Sequence, residues 1–266
     1  MRTTFSILLS LLFVWSAPAQ ITYKNNCIRS GDEIIKQQVE YKDPGRSGEN
    51  VIWDFSNLQS INDEYKLTYM SPYMNEDSLY ILGEDTLRAA EVNEQDLIIG
   101  REHFTSYFYR VKENRLLLLG HANAVSRMHN RIPIPVIAYP LSYGEAFNSD
   151  YTSRTVYSGS EKMAIEGDIS VTSDAYGIMI LPDKDTLRNV TRIKAEQVIK
   201  QSPDSLQRQD GDTVPGLNTK VETYRWYVKG YRYPVFETIR NINTADSANT
   251  VYFATAFFYP PQDHYY

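Results

Sequence analysis

The chain has 266 residues, with 27 Lys and Arg against 33 Asp and Glu, and a formal net charge of −6 at pH 7. This acidic balance argues against nucleic acids and anionic membrane surfaces as partners, because both require a basic face. The single cysteine, Cys27, excludes an internal disulfide, and a packed core must therefore stabilise the fold.

The N-terminal segment, residues 1–19, has the pattern of a signal peptide. Arg2 precedes an apolar run, and Ala17 and Ala19 are the small residues that a signal peptidase accepts. We expect Gln20 to begin the mature chain. No later segment reaches the roughly 18 apolar residues that a membrane helix needs, so no transmembrane segment is expected in the mature chain. The sequence predicts export to the periplasm, the outer surface or the medium.

The mature chain reads as a succession of short strands. Residues 161–172 alternate most clearly, with Met163, Ile165, Ile169 and Val171 on one face and polar residues on the other. Further strands are predicted at 51–55, 66–70, 78–82, 103–111, 115–120, 177–181, 191–199, 222–228, 234–242 and 250–259. Residues 31–41 fit a short helix and a strand equally well.

About a dozen short strands with little helix predict an all-β fold. Turn-rich segments at 41–50 and 201–218 read as loops, because strands of the same character lie on both sides of each. We therefore expect a single domain over residues 20–266. The strand pattern suggests an antiparallel sandwich or a barrel, and of these we expect a β-sandwich or a jelly roll.

The tetrapeptide DTLR occurs at 85–88 and again at 185–188, and both copies are typical of hairpin turns. More widely, Asp followed by Ser or Thr and then by an aliphatic residue or Ala occurs six times, where average composition gives about one. This triplet resembles the O-glycosylation signal of exported Bacteroidota proteins. The resemblance implies glycans on the middle hydroxyls, those of Ser78, Thr86, Thr186, Ser205, Thr213 and Ser247.

Four longer blocks, PGRSGENVIWDFSNL, YPLSYGEAF, DAYGIMILPDKDTLRNVTRIK and YRWYVKGYRYPVFETI, occur in this order along the chain. In these blocks the chain resembles a family of uncharacterised secreted proteins of the Bacteroidota. The resemblance implies a lineage and an exported compartment. It implies no activity, cofactor or catalytic residue.

The aromatic block at 224–233 is the main candidate for ligand binding. Tyr224, Trp226, Tyr231 and Tyr233 are interleaved with basic residues, and exposed aromatic rings of this kind stack on sugars. Alternatively, Trp226 is a core residue beside Trp53. The sequence leaves both interpretations open.

Catalytic and metal motifs are weak. Glu166 and Asp168 share a strand face and could form half of a hydrolytic carboxylate pair, although alternating strands expose such pairs routinely. The four histidines lack metal-site spacing, so neither a metal nor a cofactor is expected. We therefore predict a non-catalytic binding or structural protein of the cell envelope or exterior, with a glycan or an envelope protein as partner. The alternative is an envelope hydrolase that acts on glycans.

Overall fold

The protein, seen in a computed structural model, is described over residues 20–72, 96–158, 161–203, 217–245 and 248–260. These residues form a short helix, α1 (Tyr23–Asn26), and thirteen strands. The strands are β1 (Glu33–Val39), β2 (Gly48–Asp54), β3 (Ser60–Met70), β4 (Leu97–Glu102), β5 (Thr105–Lys112), β6 (Arg115–Ala122), β7 (Ser126–Ala138), β8 (Ala146–Tyr157), β9 (Glu161–Ile180), β10 (Thr186–Pro203), β11 (Leu217–Tyr227), β12 (Phe236–Asn243) and β13 (Val251–Phe258).

Twelve of these strands close into an antiparallel barrel. From β3 to β13 each strand pairs with the next, and β1 lies between β13 and β3 and completes the ring. Its register places Gln37 opposite Phe258 and Ile34 opposite Leu67. The all-β prediction is confirmed, and residues 33–39 are a strand. The β-sandwich and jelly-roll prediction is wrong, because each barrel strand is hydrogen-bonded on both edges and the sheet closes on itself.

Strand β2 lies outside the ring and pairs parallel with the end of β9. The expectation of short strands fails for β9 and β10, which have 20 and 18 residues. Strand β8 pairs with β9 only as far as Thr172, which leaves the edge from Ala175 to Ile180 for β2. Strand β2 therefore pairs with the same edge of β9 as β8 does, beyond the point at which β8 begins.

One apolar cluster lies on the outer face of β11–β13. It also contains residues of β2, of the last part of β9 and of the first part of β10. Trp226 is fully buried there. Its ring meets those of Trp53, Phe55 and Phe236 edge-on, with centroids 5.9, 5.6 and 5.7 Å away. Such aromatic pairs stabilise a core beyond the burial of their area.

A second cluster lies inside the barrel. The predicted alternation in β9 is confirmed for Ile165, Ile169 and Val171, which are buried in this cluster, whereas Met163 is only half-buried. At one end, the backbones of Ile21 and Leu141 exchange two hydrogen bonds of 3.0 and 2.9 Å. The N-terminal segment around α1 thereby covers that end of the barrel.

The second DTLR copy lies at a hairpin, as predicted. The N–H of Leu181 donates to the carbonyl of Asp185 at 2.8 Å, and β10 begins at Thr186. The first copy and the predicted strand at 78–82 lie outside the described residues. Along the described ranges, no helix is long and apolar enough to cross a membrane.

Candidate functional site

A cavity of about 490 Å³ occupies the barrel interior. This volume lies within the range of roughly 300–1,000 Å³ that is typical of small-molecule sites. Asn26 and Ile28 line the end covered by α1, where Asn26 also accepts a hydrogen bond of 3.2 Å on its carbonyl from the hydroxyl of Tyr139. His103 and Phe253, which line the cavity but are exposed, mark the end at which it reaches the surface.

The cavity has two chemically different walls. The arc from β6 to β10 contributes an aliphatic wall: Leu116, Leu118, Ile134, Val136, Ile137, Ile169, Ile193 and Ala195. The strands of the opposite arc, from β11 through β13 and β1 to β5, contribute tyrosines and four charged side chains, and Arg232 between β11 and β12 is a fifth. Because strand side chains alternate between faces, a single strand can place core residues outside the barrel and polar residues within it.

Tyrosines dominate the second wall. Seven of the tyrosines that line the cavity belong to it: Tyr65, Tyr69, Tyr107, Tyr109, Tyr227, Tyr233 and Tyr259. An eighth, Tyr139, follows β7 on the aliphatic side. Tyr69 and Tyr233 stack with centroids 5.6 Å apart. Burial raises the pKa of Tyr107 and of Tyr227 to about 12, so both phenols are neutral near pH 7. The wall therefore offers flat apolar rings together with uncharged hydroxyl groups.

An ion pair between Arg225 and Glu237 lies at the centre of this wall. The two residues are directly opposite on β11 and β12, and Arg225 Nε lies 2.9 Å from Glu237 Oε1. The hydroxyl of Tyr259 donates to Glu237 Oε2 at 2.8 Å. Burial alone would raise the pKa of Glu237, but the charges of Arg225 and Lys36 outweigh it and the pKa is lowered. Glu237 is therefore held in its ionised form.

A second ion pair joins β1 to β4, across the intervening strand β3. Lys36 of β1 is buried, and its Nζ lies 2.6 Å from Glu102 Oε1. The ammonium group also sits 4.0 Å from the ring centroid of Phe257, which is a cation–π contact. Lys36 thus has both a carboxylate and an aromatic ring as partners.

The predicted aromatic block divides between the two faces of the sheet. Trp226 and Tyr224 are packed in the outer cluster, so neither presents a ring to solvent. Tyr231 is partly buried against the core. Tyr233 is buried and lines the cavity, and its hydroxyl donates to Asp32 Oδ2 at 2.9 Å. The structure therefore brings one of the four candidates to the cavity.

The predicted carboxylates lie elsewhere. Glu166 and Asp168 are exposed, alternate with the inward-facing Ile165 and Ile169, and do not line the cavity. In the part of the chain that the structure describes, no three His, Cys, Asp or Glu side chains are grouped to hold a metal ion.

One glycosylation candidate can be placed. Thr186 is exposed at the start of β10. The other five candidates fall outside the described residues: Ser78, Thr86, Ser205, Thr213 and Ser247.

Apart from Tyr233, the cavity residues were not identified from the sequence. The available signal was large aromatic residues two positions apart, as in Tyr107 and Tyr109, or in Phe257 and Tyr259. Charged residues on the same strand faces, such as Arg225, obscured it because they suggest a solvent-facing side. Compared with known proteins, the chain matches no family model, no curated protein and no solved structure.

Proposed function

We propose that the protein is an exported binding protein that encloses a small amphipathic molecule inside its barrel. The division of the cavity into an aliphatic wall and a tyrosine-rich, charged wall carries this proposal. A ligand with an apolar body and a polar end satisfies both walls at once, whereas a wholly polar ligand such as a glycan would leave the aliphatic wall without contacts. The signal-peptide pattern of residues 1–19 supports export.

The state of the cavity carboxylates favours binding over hydrolysis. Glu237 is ion-paired with Arg225, and Glu102 with Lys36. A general acid needs a raised pKa, but the pKa of Glu237 is lowered. Both carboxylates therefore fix the positions of cations in the wall, which suits a preformed binding surface.

Thermal unfolding of residues 20–266 in the presence of amphipathic compounds tests the proposal. Fatty acids, bile acids and long-chain alcohols should raise the unfolding midpoint in a concentration-dependent way, because a ligand specific to the native state stabilises it by about 2.7 kcal/mol at 100 times its Kd. Oligosaccharides at the same concentrations should leave the midpoint unchanged.

A pair of matched variants locates the effect. Ala195 lies on the aliphatic wall, so Ala195→Phe places a ring in the cavity and should abolish the ligand-induced rise. Ala254 is exposed on β13, and Ala254→Phe should retain the rise. The proposal fails if no amphipathic compound raises the midpoint, or if the two variants respond alike.

A further inference from the structure

Each carboxylate of the cavity's charged wall already has a cationic partner. Glu237 accepts from Arg225 on Oε1 and from Tyr259 on Oε2. Glu102 holds the ammonium group of Lys36. A cationic ligand would therefore have to share either carboxylate with the cation that is already paired to it.

The donors of the same wall are in excess. Arg225 uses Nε for Glu237, and among the described residues neither Nη1 nor Nη2 has a protein acceptor. About 30% of the Arg225 side chain is accessible where it lines the cavity. By contrast, Arg192 on the neighbouring strand donates through all three of its nitrogens, to Asp174 and to the carbonyls of residues 44–46.

Two phenols add to this set of donors. Tyr109 and Tyr227 line the cavity close to Arg225, and within the described residues their hydroxyls have no hydrogen-bond partner. Burial raises the pKa of both, so each keeps its proton to donate. Arg225, Tyr109 and Tyr227 therefore present donors to the same interior space.

We propose that the enclosed ligand is an amphipathic acid whose carboxylate is bound by the Nη groups of Arg225, with Tyr109 and Tyr227 as additional donors. This inference rests on the proposed function. A planar carboxylate suits the two-nitrogen face of a guanidinium, and its charge strengthens these hydrogen bonds. The apolar body of the acid then lies along the aliphatic wall around Leu118 and Ile169. A cationic end group would instead meet Arg225 and Lys36.

Ligands that differ only in the head group test the inference. Isothermal titration calorimetry would compare dodecanoic acid, dodecanol and dodecylamine below their aggregation concentrations. A rigid pair, deoxycholic acid and its methyl ester, would be measured in the same way. In the series that fits the cavity, we expect the acid to bind about ten- to a hundred-fold more tightly than the neutral analogue, the difference that a charge-assisted hydrogen bond makes.

The variant Arg225→Lys retains the positive charge beside Glu237 but loses the two-nitrogen face. It should reduce the affinity for the acid to within a few-fold of that for the neutral analogue, whose binding should not change. Arg240→Lys is the matched control, because Arg240 pairs with Glu222 on the same two strands but on the face away from the cavity. It should leave both affinities unchanged.

The outcomes separate the two proposals. If neutral analogues or the amine bind as tightly as the acids, the acid-binding inference is overturned while the proposed function stands. If no member of either series binds, the proposed function itself fails. The comparison of head groups uses the unsubstituted chain, so it decides the inference even where Arg225→Lys does not fold. In that case Tyr109→Phe, which removes one hydroxyl, should lower the affinity for the acids and leave the affinity for the neutral analogues unchanged.

Discussion

Arg192 and Asp174 form a buried, two-point ion pair at the junction between the barrel and β2. Arg192 Nε lies 2.9 Å from Asp174 Oδ1, and Nη2 lies 2.7 Å from Oδ2. The remaining donors reach the carbonyls of Pro44, Gly45 and Arg46, in the segment that leads into β2. A turn-rich loop is thereby fixed by one side chain from β10.

We predict that Arg192→Met destabilises the protein by about 3–5 kcal/mol, because it leaves Asp174 without its partner in a largely buried position. Urea unfolding would measure the loss. Arg188→Met on the same strand is the control, since Arg188 is exposed. Equal costs for the two variants would show that the ion pair does not anchor the loop.

Gly177 allows the close approach of β2 to β9. A Cβ atom at this position would overlap the backbone nitrogen, carbon and oxygen of Val51, its partner on β2. An alanine normally stabilises relative to glycine through the unfolded state, but here the overlap is with backbone that cannot rotate away. We expect Gly177→Ala to destabilise the fold by about 1–3 kcal/mol in urea unfolding.

Gly100→Ala provides the comparison for this effect. The nearest atoms to its new Cβ belong to the rings of Tyr109 and Tyr69, at 3.1 Å, and side chains can shift. Its cost should therefore be smaller than that of Gly177→Ala. A larger cost at Gly100 would contradict the proposed role of Gly177 in seating β2.

The strand composition of the fold could be predicted from the sequence, but the closure of the sheet could not. Alternation at Ile165, Ile169 and Val171 shows that one face is buried, and both a sandwich and a barrel produce that pattern. Closure depends on β1 pairing with β13, which lies near the other end of the chain. Strand β7 was missed because Pro133 and Pro135 argue locally against a strand.

The candidate site was hidden for a related reason. Lys36, Glu102, Arg225 and Glu237 each look like solvent-facing residues when their own strand is read alone. Their partners lie on other strands, so the pairing that allows them to be buried appears only in the assembled sheet. The aromatic block shows the same limit of reading one segment alone. In the assembled sheet it supplies Trp226 to the outer cluster and Tyr233 to the cavity.

Glu237 should make stability depend on pH in the acid range. Its pKa in the folded protein is lowered below the ordinary value of 4.5, chiefly because Arg225 and Lys36 outweigh the effect of burial. Its contribution is therefore fully present above pH 4.5 and is lost as pH falls through the folded-state pKa. We predict that Glu237→Gln is less stable than the unsubstituted chain at pH 7, and that the difference shrinks as the pH is lowered.

Urea unfolding at a series of pH values below 7 would measure this convergence. Glu166→Gln is the matched control, because Glu166 is exposed on the outer face, and its stability should track that of the unsubstituted chain throughout. A difference for Glu237→Gln that stays constant with pH would contradict a lowered pKa at this residue.

The buried tyrosines should govern alkaline unfolding. Burial raises the pKa of Tyr107 and Tyr227 from 10.0 to about 12 in the folded protein. Their stabilising contribution is complete below pH 10 and is lost as pH rises through about 12, because the unfolded chain releases these protons first. Near-ultraviolet absorbance should therefore show an early ionisation of accessible phenols, followed by a later stage that coincides with loss of β-sheet circular dichroism. Complete ionisation before any loss of structure would contradict the enclosed tyrosine wall.

Thr186 is the glycosylation candidate that lies within the described part of the chain, so the proposed modification can be tested there against a known local structure. It is exposed, and it follows a turn held by backbone hydrogen bonds between Leu181, Lys184 and Asp185, so an attached glycan would displace no packed side chain. We predict that protein expressed in a Bacteroidota host carries a glycan on Thr186, and that Thr186→Ala removes this mass from the corresponding peptide. Asp185→Asn alters the triplet but not the backbone bonds of the turn, and it should also abolish the modification. A peptide of unmodified mass at Thr186 from that host would show that the repeated Asp-Thr-Leu at this position serves the hairpin turn alone.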